Sequence, residues 1–236
     1  MKKITASLLA ILALIWGFPL SSHASIFTTD PNLPPVDGEY VSADDIVFSD
    51  PNFHVALSEL TFGNFTGISR IDVGPDEIQS FLMALSAKGQ IGLDQIGLDT
   101  VDSILLSGPV QTLAEGKVGS TTGSYNTEII SMNLSGEVSL TGGITLQILL
   151  RESPTLLSMG LTGITDLGSG RFQIDSFFDI FTEISFDGGQ AWTPANGPSR
   201  FTLQPSPSPI PVPAAVWLFG SALVGLVGLS RRKKSA

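Results

Sequence analysis

Acidic side chains are the groups in this chain best suited to chemistry, and Asp175, Asp179 and Glu183 recur at intervals of four residues. They lie in the segment 171–186, RFQIDSFFDIFTEISF, whose apolar and polar residues alternate as in a strand with one buried face. Because 16 residues is long for one strand, we expect a bulge or a bend within it. At about 3.3 Å per residue, successive carboxylates on one strand would lie roughly 13 Å apart. This is too far for the carboxylate pair of a glycoside hydrolase. A pair formed across two strands stays open, and a solvated acidic face is the simpler interpretation.

A second candidate is the motif SFDGGQAW, residues 185–192, which matches the Asp-box pattern Ser-x-Asp-x-Gly-x-x-Trp. Asp187 can accept hydrogen bonds from turn amides, while Gly188 and Gly189 can adopt positive φ and Trp192 can pack back over the turn. In sialidase-like propellers such hairpins are structural and occur once per blade. The single copy here predicts a structural hairpin, with sugar stacking by Trp192 as the alternative.

Calcium is the metal ion that the composition permits, because calcium takes six to eight oxygen ligands and the chain is rich in carboxylates. The acidic groups that could contribute are Asp44 with Asp45, Asp72 with Asp76 and Glu77, and Asp94 with Asp99 and Asp102. None of them follows the EF-hand loop or a Gly-Gly-x-Gly-x-Asp repeat. A structural calcium ion is therefore an alternative, its ligands stay unassigned, and no other cofactor is expected.

The composition excludes several kinds of site. The chain has no cysteine, so disulfides and thiolate zinc sites are excluded. Apart from His23, the one histidine is His54, which we expect on a strand or at the surface. Residues 25–204 contain six Lys and Arg residues against 22 acidic ones, and this negative balance excludes nucleic acid as an expected partner. No catalytic residue set emerges, so the chain is predicted not to be an enzyme.

The segments that position these residues have the pattern of β-strands. Period-two alternation recurs in segments separated by Gly-, Asn- and Pro-containing turns, namely 45–50, 54–62, 67–73, 124–136 and 143–152. The segment GPDEIQSFLMALSAKG, residues 74–89, also has apolar residues at helical spacing, and we favour a strand there. The sequence thus predicts a mainly β protein, with residues 25–204 forming a single antiparallel β-sandwich-like domain.

The amino-terminal end has the pattern of a secretory signal peptide, residues 1–24. Lys2 and Lys3 precede a long apolar run, and small residues lead up to Ala24. This arrangement predicts cleavage by signal peptidase between Ala24 and Ser25, and export of the remainder.

The carboxyl-terminal end has three parts. Residues 205–213 carry proline at every other position and predict an extended spacer. Residues 214–230 predict a short transmembrane helix, whose 16 uncharged residues from Ala214 to Leu229 span roughly 24 Å against a bilayer core of roughly 30 Å. Residues 231–236 form a basic tail. By the positive-inside rule, its cations anchor it at the cytoplasmic surface: Arg231, Arg232, Lys233 and Lys234.

This tail resembles the PEP-CTERM sorting domain of exported proteins from Gram-negative bacteria. The family's Val-Pro-Glu-Pro motif corresponds here to Ile210, Pro211, Val212 and Pro213, with Val212 in the place of the glutamate. The segments RESPTL and IDSFFDIFTEISFDGGQAW are also similar to segments of PEP-CTERM cargo proteins. The resemblance implies recognition by an exosortase, removal of the tail near the proline motif, and release to the cell surface or an exopolysaccharide matrix.

The expected function is therefore that of an exported, non-enzymatic cell-surface or extracellular-matrix protein. It would reside in the inner membrane before processing, and exopolysaccharide is an expected partner. A carbohydrate- or calcium-binding module is the first alternative, and a carboxylate-dependent glycoside hydrolase is the second. For the tail, an ordinary membrane anchor is the alternative.

Overall fold

A computed structural model describes residues 25–93 and 97–206. In these ranges the chain is mainly β and contains no helix. Among the described residues no helix has the length and hydrophobicity needed to cross a membrane. The predicted signal peptide, transmembrane helix and basic tail lie outside the described residues, as does the sorting motif.

Thirteen strands are present in the described ranges. They are β1 (Ser25–Thr28), β2 (Gly38–Ser42), β3 (Ile46–Asp50), β4 (Phe53–Val73), β5 (Asp76–Leu93), β6 (Gly97–Ala114), β7 (Gly123–Leu140), β8 (Ile144–Glu152), β9 (Ser158–Gly168), β10 (Arg171–Ile180), β11 (Thr182–Ser185), β12 (Thr193–Pro194) and β13 (Ser199–Pro205). Segment 74–89 lies almost wholly in β5, so the preference for a strand is confirmed. The predicted spacer begins at Pro205, which is also the last residue of β13 and pairs with Gly38 of β2.

All described strands belong to one antiparallel sheet, which confirms the predicted mainly β, antiparallel fold. Its pairings close a circuit through β10, β13, β2, β4, β5, β6, β7 and β9. A second circuit runs from β7 through β8 and β11 to β12. Ala195, the residue after β12, forms a bridge with Phe48 of β3, and β3 pairs with β4, which closes this circuit. The long strands β4 to β7 are common to both circuits.

The core lies on one face of β4 to β7 and includes residues of the shorter strands. Alternate residues of these strands are buried, as period-two patterning requires. Phe62 of β4 packs on Phe201 of β13 with ring centroids 4.4 Å apart. Between β2 and β10, the Tyr40 hydroxyl donates to Ser176 Oγ over 3.0 Å, and burial raises the pKa of Tyr40 to about 12. The core therefore includes a hydrogen-bonded polar contact as well as apolar packing.

Three irregularities bend β4. Its register with β5 shifts between Ser58 and Thr61, between Gly63 and Thr66, and between Thr66 and Ser69. Each shift contains one residue with positive φ: Glu59, Asn64 and Gly67 respectively. β-Bulges bend a strand and increase its twist. These bulges let a 21-residue strand wrap around the core.

The segment 171–186 divides into two strands at Phe181. β10 pairs with β9 and β13, whereas β11 pairs with β8 and β12. At the break, Phe181 N donates to Ser158 Oγ over 3.1 Å, and its carbonyl accepts from Ser153 N over 2.8 Å. The bend expected from the length of this segment is thus the point where the chain passes from the first circuit to the second.

Candidate functional site

The three spaced carboxylates are each engaged by a neighbouring side chain. Arg200 Nε and Nη2 donate to the two carboxylate oxygens of Asp179 over 2.8 and 2.7 Å. Arg151 holds Glu183, and Gln173 Nε2 donates to Asp175 Oδ2 over 3.2 Å. The face is therefore not a simple solvated row of acids, because two of its three carboxylates are in ion pairs.

The ion pair of Glu183 is the better enclosed of the two. Arg151 Nε and Nη2 both donate to Glu183 Oε2, over 2.9 and 2.7 Å, and Ser153 Oγ donates to Oε1 over 3.2 Å. The guanidinium carbon lies 4.0 Å from the centroid of the Trp192 ring, in a cation–π contact. Both oxygens of Glu183 are thus occupied, which leaves it poorly placed to act as a nucleophile or base in hydrolysis.

The Asp-box motif forms the predicted hairpin. β11 and β12 pair across it, and Asp187 Oδ1 accepts hydrogen bonds from Gln190 N and Ala191 N over 2.9 and 3.0 Å. These amide hydrogen bonds, with one from Ser185 Oγ, hold the pKa of Asp187 below its usual range. Gly188 and Gly189 have φ of 76° and 87°.

Trp192 completes the hairpin as a packing residue. Its Nε1 donates to Gly189 O over 2.9 Å. Arg151 covers one face of its ring, so that face is not available to a sugar. The structural interpretation of the motif accounts for these contacts.

The acidic groups considered for calcium are spread over separate hydrogen bonds. Asp72 and Glu77 are register partners, but Asp76 Oδ1 accepts from Gly116 N over 2.8 Å. Asp99 accepts from the amide and the hydroxyl of Thr141, and these hydrogen bonds lower the pKa of Asp99. In the part of the chain that the structure describes, no three His, Cys, Asp or Glu side chains are grouped to hold a metal ion.

Of two further residues considered for sites, one lies within the described ranges. Asp94 lies outside the described residues. His54 is exposed on β4, with its Nδ1 3.2 Å from Ser49 Oγ, as expected for a surface histidine on a strand. Neither observation assigns a metal ligand.

Glu152 is a titratable residue that sequence reasoning missed. It lies at the end of β8, beside Glu128, in a groove of about 460 Å³ that loop 153–157 borders. Burial is the main cause that raises its pKa to about 7, and the carboxylates of Glu128 and Glu183 add to this effect. Ser158 Oγ donates a hydrogen bond to Glu152 Oε1 over 3.4 Å, and this bond lowers the pKa and so partly opposes the effect of burial.

Replacing Glu152 by Gln should remove a pH dependence of stability. Between pH 4.5 and about 7 the folded state keeps a proton that the unfolded state has lost, so stability falls as pH rises through this window. After discounting for solvent screening, Glu152→Gln should gain about 1 kcal/mol over wild type at pH 8 and nothing at pH 4. Urea unfolding at both pH values measures this difference. Glu137→Gln, at an exposed position of β7, controls for net charge, and an equal gain in that variant would contradict the prediction.

The strongest candidate site is a row of small polar side chains on the outer face of β4 to β7. Ser69 pairs with Ser80, Ser80 with Gln111, and Gln111 with Ser131, so the four residues lie side by side across four strands. They line a groove of about 460 Å³ together with Leu82 and Pro109 from the adjacent cross-strand pair. We call these six residues the serine–glutamine groove. Alternation places each residue outward, but only the register brings them together.

Two bulges flank the serine–glutamine groove. On β4, Gly67 has a φ of 62° within the register shift before Ser69. On β7, Ser131 pairs with Gln111 and Ile129 pairs with Thr112. Ile130, which lies between them, is therefore the extra residue of the bulge. Bulges are over-represented next to functional sites, where they redirect side chains. Here they lie at both ends of the polar row.

The groove offers neutral hydrogen-bonding groups beside apolar ones. Gln111 Nε2 donates to Ser80 Oγ over 3.0 Å, which orients the amide along the row. Serine hydroxyls and the glutamine amide both donate and accept. Leu82 is 52% exposed and supplies an apolar surface next to them. All residues that line the groove are uncharged, which suits a neutral ligand with both hydroxyl groups and C–H surfaces.

Comparisons with known proteins identified no protein similar to this chain. No protein-family model matches the chain, and searches of curated proteins and of solved structures found no significant match. A proposal for its function therefore depends on the geometry of its own residues.

Proposed function

We propose that this chain is an exported cell-surface or extracellular-matrix protein that binds a neutral polysaccharide through the serine–glutamine groove, without catalysing a reaction. The observation that carries this proposal is the row of Ser69, Ser80, Gln111 and Ser131 across four paired strands. A sugar chain presents hydroxyl groups that such a row can pair with, and its C–H faces can cover Leu82. An extended polymer also suits an open groove on a sheet better than a small ligand does.

The charges of the described residues support a neutral rather than an anionic polymer. The domain as a whole carries a large excess of acidic residues, so an anionic chain would be repelled. The groove itself has no charged lining residue, so a neutral chain avoids desolvating one.

Hydrolysis is the second candidate. Glu152 has the raised pKa of a general acid, and Glu128 lines the same groove, whereas Glu183 is bound by Arg151 and Ser153. A hydrolase needs a second carboxylate, and Glu128 is the residue that would have to supply it.

The proposal includes the route by which the domain reaches the cell surface. The signal peptide, the spacer and the PEP-CTERM-like tail would direct export, insertion in the inner membrane and processing by an exosortase. The described domain would be the cargo, with β4 to β7 as one layer of a sandwich-like arrangement and the shorter strands as the other. Intact mass of the protein from envelope and matrix fractions distinguishes this sorting from an ordinary membrane anchor.

The double variant Ser80→Ala/Gln111→Ala should lower the affinity for neutral polysaccharide about tenfold. It removes side-chain hydrogen bonds worth about 0.5–1.5 kcal/mol each, and a factor of ten corresponds to about 1.4 kcal/mol. Affinity electrophoresis in gels containing dextran, galactomannan or alginate measures the retardation. We expect retardation by a neutral polymer and none by the anionic alginate.

A matched control is available on the same face. Ser107 and Ser135 are exposed register partners on β6 and β7, outside the groove. Ser107→Ala/Ser135→Ala should leave the retardation unchanged. Retardation by alginate alone, or equal losses in both double variants, would contradict the assignment of the groove.

A further inference from the structure

The first described residue lies opposite a carboxylate that has one buried oxygen. Ser25 begins β1 and is the register partner of Asp175 in β10. The Gln173 amide links the two, since its Nε2 donates to Ser25 Oγ over 3.0 Å and to Asp175 Oδ2 over 3.2 Å. Residues directly opposite in antiparallel strands have Cβ atoms about 4.5–5.5 Å apart. The side chains of Ser25 and Asp175 therefore lie next to each other on one face of the sheet.

The second oxygen of this carboxylate needs a donor. Asp175 Oδ1 is buried and has no hydrogen-bond partner among the described residues. Its register partner on the other side, in β9, is Gly163, which has no side chain to offer. Arg200, the cation of the adjacent strand β13, is bound to Asp179. An unsatisfied buried oxygen costs about 1–3 kcal/mol, more when it is charged, and such atoms are rare in folded proteins.

We propose that Asp175 Oδ1 is the binding site for the α-ammonium group that signal cleavage creates at Ser25. Hydrolysis of the Ala24–Ser25 peptide bond by water leaves a carboxylate on Ala24 and an amine on Ser25. With an ordinary pKa of about 7.7–8.0, this amine takes up a proton at neutral pH and becomes a cation with three donors. The inference goes beyond the proposed function and requires only the predicted cleavage site.

The consequence is that processing strengthens the docking of β1. Before cleavage the Ser25 nitrogen is a neutral amide, with one hydrogen and no positive charge. After cleavage, an ion pair within a hydrogen-bonded cluster of Ser25, Gln173 and Asp175 holds β1 on β10. Removal of the signal peptide would thus complete the fold as well as release the protein.

The test compares two forms of the chain from Ser25 to Ala236 in detergent, one with a free α-amino group and one acetylated there. Near pH 6.5 the α-amino group reacts before lysine because of its lower pKa, and intact mass identifies the singly acetylated form. We expect the free form to melt about 2–4 °C higher. In Asp175→Asn the two forms should melt at the same temperature, whereas in Asp179→Asn the difference should persist.

Two results would overturn the proposal: equal melting temperatures of the two wild-type forms, or a difference that survives Asp175→Asn. An NMR titration of the Ser25 α-amino group decides the matter without a substitution, because pairing with Asp175 raises its pKa above about 8. The amino terminus of the natively processed protein is a separate measurement. A cleavage site other than Ala24–Ser25 would refute the processing step. The melting temperatures and the NMR titration would still decide whether the ion pair forms in the chain that begins at Ser25.

Discussion

Replacing Arg151 by Ala should destabilise the domain by about 3 kcal/mol, because it leaves the enclosed Glu183 carboxylate without its cation. The side chain of Glu183 is only 12% exposed and that of Arg151 29%. The substitution also removes the guanidinium from the face of Trp192, 4.0 Å away. Urea unfolding at pH 7 measures the loss. Arg151→Lys should recover only part of it, since lysine cannot reproduce the planar stacking.

Arg200 provides a matched control for this prediction. It makes a two-pronged contact with Asp179 and lies 4.3 Å from the centroid of the Phe177 ring. Its pair is more open, with side chains 55% and 37% exposed. Arg200→Ala should therefore cost no more than about 1 kcal/mol. If the two arginine variants lost equal stability, enclosure would not be what makes the Arg151 pair important.

Local patterns predicted the parts of the structure whose contacts are local. The Asp-box hairpin depends on hydrogen bonds that Asp187 makes within four residues, and its geometry agrees with the motif. The alternation in 171–186 predicted strands and a bend. Its position at Phe181 depends on Ser153 and Ser158, which are distant in sequence, and so could not be read from the segment itself.

The candidate groove could not be predicted for a related reason. Serines at outward positions are visible in the sequence, but their alignment depends on register, and one-residue shifts in β4 and β7 set that register. Glycine at position 67 is a signal for a bulge. Glu59, which adopts a φ of 51°, gives no such signal, because glutamate rarely takes this conformation.

The strand register also determines which carboxylates pair with which arginines. Arg151 and Glu183 are 32 residues apart and meet because β8 and β11 pair directly at these positions. The sequence showed acidic residues in excess, which favoured a solvated face. It did not show that three of the six cations of residues 25–204 form ion pairs, namely Lys88, Arg151 and Arg200.

Replacing Gly160 by Ala should be the most damaging single change in β9, with a loss of about 3 kcal/mol or more. A Cβ at this position would overlap the carbonyl oxygen of Phe177 and lie 2.8 Å from Thr127 Oγ1. Gly160 is in the middle of three paired strands, opposite Phe178 in β10 and Thr127 in β7. The Phe177 carbonyl belongs to the backbone of β10, which cannot withdraw without disturbing its pairing with β9, so the overlap becomes backbone strain. Urea unfolding, or loss of soluble folded protein, measures the effect.

Gly163 lies three residues further along the same strand and tests whether the cause is close packing or strand propensity. A Cβ there would have no heavy atom within 4 Å. Because Ala loses less conformational entropy than Gly on folding, Gly163→Ala should be neutral or stabilise the domain by about 0.4–1 kcal/mol. The two substitutions are chemically identical, but only Gly160→Ala should destabilise the domain. If Gly163→Ala were as damaging as Gly160→Ala, the close approach of β9 to β10 at Phe177 would not be the reason that position 160 requires glycine.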